Sequence, residues 1–143
     1  MTTVLDPVYA IQVGMRTLLL ADVTLVALLA DSESVWDEPP EDGPFPYVHI
    51  GEATTIPDGT HDSPGYQVVE TLHSWAHARS SQPVNDIGAR LVAVLNLQEA
   101  ALDAATTGFN VWRVWHEFGQ VLRDPDRTIR HRIDRFRIYV HQS

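Results

Sequence analysis

The chain has 143 residues, 44% of them hydrophobic, with no cysteine and a formal net charge of −9. That length suits one domain spanning 1–143, able to bury roughly two-thirds of its unfolded surface. The composition excludes a disulfide scaffold and a thiolate metal centre; no apolar run is long enough to cross a bilayer, and the charge has the wrong sign for coating nucleic acid through phosphates.

The first residues, Met1 to Asp6, lack a basic region followed by an apolar one, so no signal peptide is expected and a reducing cytoplasm suits the cysteine-free chain. Asp6-Pro7 predicts a helix start, with Asp as N-cap and Pro at the first helical position. Val8, Ile11, Met15, Leu18 and Leu19 then share one helical face, on which Gly14 is a weak point costing about 1 kcal/mol against Ala. Asp22 or Thr24 caps a second short helix burying Leu25, Leu28 and Leu29, each contributing roughly 1.5–3 kcal/mol if fully buried. Ser34–Asp37 predicts a short strand before the acidic, proline-rich turn Glu38–Gly43.

Gly43-Pro44-Phe45-Pro46-Tyr47-Val48-His49-Ile50-Gly51 organises the rest. Its prolines hold the backbone extended, and the aromatic and β-branched run behind them predicts a strand from Phe45 to Ile50. Gly51 to Gly65 is predicted as a long polar loop with two turn signals, Pro57-Asp58-Gly59 and Ser63-Pro64-Gly65. Loops of that length are usually functional or mobile, which marks Glu52, Asp58, His61 and Asp62 as candidate partner contacts.

Tyr66 to Ala76 predicts a strand with Val69, Thr71, His73 and Trp75 on one face and Val68, Glu70 and Leu72 on the other. Pro83 opens a third helix capped by Ser80 or Ser81, with the stripe Val84, Ile87, Leu91, Val94 and Leu95. The Ala-rich segment Gln98–Thr107 is open between helix and loop, and Gly108 ends it. Phe109–Phe118 predicts a strand apolar on both faces and hence covered on two sides. Asp124-Pro125-Asp126 is a β-turn leading to a last strand, Thr128–Val140. Ile129 and Ile133 are out of phase there with Phe136, Ile138 and Val140, which predicts a β-bulge near Asp134-Arg135.

The charge is segregated. All ten basic residues are Arg, and none lies between Arg16 and Arg79, where Asp31, Glu33, Asp37, Glu38, Glu41, Asp42, Glu52, Asp58 and Asp62 crowd. Six Arg then gather between Arg123 and Arg137. Two readings are open: solvated charge with a codon bias toward Arg, or self-association of opposite-signed surfaces. The second makes Arg130, Arg132, Arg135 and Arg137 one side of a subunit interface and Asp37, Glu38, Glu41 and Asp42 the other.

Motifs with catalytic content are missing. His73 and His77 are four apart, but on a strand rather than a helix, and Ser-Trp-Ala between them lacks the Glu of a zinc helix. Ser74 and Ser80 sit near histidines without a nucleophile elbow. Trp36, Trp75, Trp112, Trp115, Phe45 and Tyr47 could form a binding surface, but core packing is the commoner use of such residues.

The ordered set Leu25-Val26-Ala27-Leu28-Leu29, Val35-Trp36-Asp37, Phe45–Gly51, Thr71-Leu72-His73-Ser74-Trp75, Val121–Asp126 and His131–Arg137 resembles the tail terminator, or tail completion, proteins of long-tailed phages and gene-transfer particles. The Ala-rich stretch Glu99–Ala105 departs from that pattern. The resemblance implies an α+β subunit, an antiparallel sheet of about four to five strands flanked by helices, closing into a hexameric ring. It implies a structural virion protein, encoded by a phage or prophage, assembled in the host cytoplasm and sited in the virion tail, with no enzymatic activity and no cofactor. Implied partners are itself, the tail tube protein and the head connector or neck protein, with DNA only passing through the lumen and no membrane. Two alternatives stay open: a neck or head-completion protein on the connector side, and a small metal-binding or hydrolase domain using His73 and His77.

Overall fold

A computed structural model describes residues 5–60 and 62–143, so the readings on Met1–Val4 and on His61 fall outside the described residues. Helix α1 (Val8–Ala21) has Pro7 rather than Asp6 at its N-cap, one residue later than predicted, and Asp6 Oδ1 still accepts the Val8 N–H at 2.8 Å. Asp22 caps α2 (Val23–Val26) by accepting the Leu25 N–H. Strand β1 (Val35–Trp36) is followed by β2 (Tyr47–Pro57), β3 (Gly65–His77), α3 (Gln82–Leu95), α4 (Glu99–Ala105), β4 (Phe109–Arg123) and β5 (Ile129–Gln142). The Phe45–Pro46 peptide ahead of β2 is cis. The Ala-rich segment is therefore a separate helix, set off from α3 by Leu97 at φ 61°.

The five strands form one open sheet in the order β1-β2-β3-β5-β4, parallel between β1 and β2 and antiparallel elsewhere. All four helices feed one core with a single face of this sheet: Ile11, Met15 and Leu19 from α1, Leu25 from α2, Ile87, Leu91 and Leu95 from α3, and Leu102 from α4 meet Val48, Ile50, Val68, Leu72, Phe136, Ile138 and Val140. Gly14 explains itself in this packing. A Cβ there would lie 2.6 Å from Thr106 Oγ1, so the glycine lets α4 close on α1 at the cost in helix propensity.

Three predictions are corrected. Residues 51–65 are not one long loop. Strand β2 runs on to Pro57 and pairs with β3 through Pro57↔Tyr66, leaving a short turn beyond. Gly51 marks a bulge there, because the register slips between Ile50 and Ala53, and the β-branched run Thr54-Thr55-Ile56 continues the strand. The bulge expected at Asp134-Arg135 lies in β4 instead, between Val111 and Arg113 and again between His116 and Phe118, while β5 pairs with β3 without a slip. A bulge in central β5 would disturb two ladders, whereas in edge strand β4 it disturbs one. Nor is β4 covered on both sides. Phe109, Val111 and Val114 are buried against the helices, but Trp112 is 49% exposed and Phe118 40%.

Candidate assembly surface

The face of the sheet turned away from the helices holds most of the side chains that sequence reading singled out. Trp112 lies against Tyr139 and His141, and Trp115 meets Tyr139 edge-on. Arg113 sits 3.9 Å over the Trp115 ring and Arg135 4.9 Å over that of Phe118. Placing these tryptophans in the core is thus corrected: the bulge residues of β4 turn Trp112 and Glu117 out of strict alternation. Glu117 takes a hydrogen bond from Arg137 Nε at 2.6 Å, and the same guanidinium reaches Gln67 at 2.9 Å. A shallow cavity of about 310 Å³ opens between these arginines and Glu52, Thr54 and Val69.

Farther along this face lies a histidine row. His73 Nδ1 is 2.8 Å from His131 Nε2, and His73 Nε2 is 2.7 Å from Glu52 Oε1. His131 stacks on Trp75 with centroids 3.7 Å apart, and His49 lies beside His73. Burial, then the neighbouring His73, pushes His131 down to about 4, so it is neutral near pH 7. Where His131 Nε2–H donates to His73 Nδ1, the His73 proton on Nε2 is the one that can be donated to Glu52, so a single tautomer set satisfies both contacts. The hydrogen bond from His73 holds the Glu52 carboxyl below its ordinary range. Gly51 makes room for this pair, since a Cβ would fall 2.6 Å from His73 Nε2.

His77 stands four residues from His73 on β3, roughly 13 Å away at strand spacing, with its ring 6.2 Å from that of Phe45. Ser74 is fully buried on the opposite face from His73. Among the described residues no three His, Asp or Glu side chains converge closely enough to hold a metal ion. Glu52 belongs to strand β2 rather than a loop, whereas Asp58 and Asp62 lie exposed around the β2–β3 turn. Asp58 there receives a hydrogen bond from Gln67 at 3.1 Å.

The arginines of β5 divide by strand parity. Arg135 and Arg137 are on the open face. Arg130 and Arg132 point to the helix side, where Arg132 donates to the fully buried Asp134 at 3.0 Å through both Nε and Nη2 and reaches Asn85 Oδ1 at 3.1 Å. His116 Nε2 adds a third contact to Asp134 at 2.9 Å. A Cβ at Gly88 would overlap the Arg132 guanidinium, so α3 crosses this ion pair at a glycine. The acidic residues Asp37, Glu38, Glu41 and Asp42 are all exposed between β1 and β2. The sheet order therefore sets the acidic segment at one edge and the arginine-bearing β5–β4 pair at the other. The aromatic outer face was only the second reading of these rings in the sequence, and the buried Asp134 was missed, for which the phase break in β5 was the available signal.

Comparison with known proteins gives a consistent result. A family model described as tail completion protein gp17 matches residues 13–141. The tail completion protein gp17 of Bacillus phage SPP1 is 26% identical over 109 residues, covering 76% of this chain and 78% of the phage protein. Among solved structures, a chain from the virion of a native gene transfer agent particle superposes with a TM-score of 0.84 at 19% identity, covering 96% of this chain and 99% of that one.

Proposed function

The chain belongs to the tail completion protein gp17 family, a structural component of the virion tail, and from that premise we propose that copies of it join side by side into a ring that caps the tail tube. The ring, hexameric by the resemblance, ends tube polymerisation and presents one face to the head connector. The observation that carries this reading is the one-sided sheet: one face is sealed by helices, and the other leaves Trp112 and Phe118 exposed and Trp115 half-buried beside Arg113, Arg135 and Arg137. Apolar rings interleaved with arginine suit a protein interface, where aromatic and Arg anchors are enriched. Edges of opposite sign favour head-to-tail contact, and such contacts close into rings when the rotation permits. A ring of subunits that each carry a net charge of −9 would repel passing DNA rather than hold it.

Deleting the gene tests the reading directly. Tails grown without the protein should be overlong and detached from heads, and the purified protein should show closed rings in electron micrographs. Tails of normal length that fail to join heads would move the protein to the connector side instead.

A further inference from the structure

Three of the arginines with no carboxylate partner among the described residues gather in a place that the run along β5 does not reveal. A cavity of about 400 Å³ lies between the end of the β4–β5 hairpin and the start of α3, lined by Arg79, Ser80, Ser81, Arg123 and Arg130 with two apolar side chains. No Asp or Glu lines it. Arg90, Arg132 and Arg137 are held by Asp22, Asp134 and Glu117, but among the described residues Arg79, Arg123 and Arg130 have no carboxylate within 4.0 Å. Arg130 Nη2 is spent on the Arg79 carbonyl, and Arg130 Nε is buried with no hydrogen-bond partner. In a chain of net charge −9, three unpaired guanidinium groups facing one hollow make a site for oxyanions.

We propose that this cavity receives carboxylates of the acidic segment 37–42 from a neighbouring copy of the same chain. The inference rests on the ring reading and names the contact that joins one subunit to the next. Three observations select this occupant. First, Asp37, Glu38, Glu41 and Asp42 are exposed and have no ion pair to a cation among the described residues. Second, the segment and the cavity lie at opposite edges of the sheet. Third, the later part of the segment runs to the cavity's end of the sheet: from Asp37, beside Ile50, the chain returns to Phe45, whose ring is 6.2 Å from that of His77, and His77 and Ala76 pair with Ile129 and Arg130. A rotation leaves height along its axis unchanged, so patches that meet across a closed ring must sit at one level. A nucleic-acid phosphate would share the oxyanion chemistry, but the chain's acidic surface opposes a polyanion and supplies its own carboxylates.

The absence of native cysteine makes the test clean. Position 41 lies between β1 and β2 and position 123 on β4, so at least three strand spacings, about 14 Å, separate them within one subunit, whereas a disulfide needs Cα atoms within about 7 Å. In a full-length chain carrying Glu41→Cys and Arg123→Cys, oxidation should therefore give a ladder of covalent oligomers, where either single variant stops at a dimer. Light scattering of the parent reads the ring independently. Oligomers without the ladder overturn the proposed contact and leave the ring standing; a monomer at every concentration overturns both. As a second arm, Arg79→Glu with Arg123→Glu should weaken self-association at least tenfold, and adding Glu38→Arg with Glu41→Arg should restore it. Both arginines are exposed, so folding, checked by circular dichroism, should not change. Unaltered association of the reversed variant, or duplex DNA binding that depends on these two arginines, contradicts the proposal.

Discussion

The two faces of the sheet solve different problems with the same strands. Toward the helices, β3 and β5 present Val68, Leu72, Phe136, Ile138 and Val140, each no more than 1% exposed, with Asp134 paired among them and Glu70 only half satisfied. Away from the helices the same strands carry Gln67, His73, Trp75, His131, Arg135, Arg137 and Tyr139, none of them buried. The first face is fixed by the need to exclude water from one core, and substitutions there should register as folding free energy. On the second, side chains lean on one another and on solvent, so changes should register in assembly. The contrast is testable wherever a polar residue sits on the first face or an apolar one on the second.

Asp134 gives the largest expected effect. It is fully buried and shared by Arg132 and His116, and Arg132 is itself only 20% exposed. Asp134→Ala leaves a guanidinium in the interior with Asn85 as its remaining partner, and breaking a buried ion pair from one side costs about 3–5 kcal/mol. Urea unfolding should show a lower midpoint at unchanged slope. A variant within about 0.5 kcal/mol of the parent would show that this part of the inner face is hydrated, and the contrast between the faces would fail where it is drawn most sharply.

How much of this was legible in the sequence follows the same division. Capping by Asp6 and Asp22, the stripes of α1 and α3 and the inner-face alternation of β3 are local patterns, and each was readable because one periodicity meets one core. Gly51 was misread as the start of a loop because a bulge glycine and a turn glycine look alike until the pairing partner is known; what demands it is the His73 ring on the neighbouring strand. The phase break in β5 was visible, but its resolution was not: β5 pairs with β3 without a slip, so Ile133 stays on the open face with Arg135 and Arg137 while Phe136, Ile138 and Val140 face the helices. Trp112 and Trp115 were assigned to a core because a single chain's sequence does not distinguish burial within a subunit from an apolar surface left for another. The arginines of β5 looked like one patch, yet strand parity splits them between an internal ion pair and the open face.

A smaller effect comes from Glu70, which breaks the rule of its own face. Its side chain is fully buried on the helix side, Oε2 accepts from Gln12 Nε2 at 3.3 Å, and Oε1 has no partner among the described residues. Burial raises its pKa to about 8. Between the ordinary carboxyl range and 8, the unfolded chain has released this proton while the folded one holds it. Stability therefore falls as pH rises across that window and levels off above it. Glu70→Gln removes the linkage. The variant should gain roughly 3 kcal/mol on the parent between pH 5 and pH 8, at about 1.4 kcal/mol per pH unit across most of the window, read as the change in ΔΔG between urea curves at the two values. A gap that does not widen with pH would mean that the carboxylate is already charged in the fold.

The smallest expected change in stability, with the largest in behaviour, belongs to Trp112. It is 49% exposed and leans on Tyr139 and His141 without entering the core. Trp112→Ala removes one aromatic contact of about 0.5–1.5 kcal/mol, partly offset because the exposed half of the ring no longer disturbs water. The unfolding midpoint should move by less than that of any inner-face variant. If the open face is where copies or tail partners meet, however, loss of a half-exposed tryptophan should weaken association by a factor of ten or more, as truncation of a central aromatic anchor does. Light scattering across a concentration series reads the second quantity and urea unfolding the first. A variant that assembles like its parent but unfolds several kcal/mol earlier would reverse the assignment of the two faces, because Trp112 would then be supporting the fold rather than the assembly.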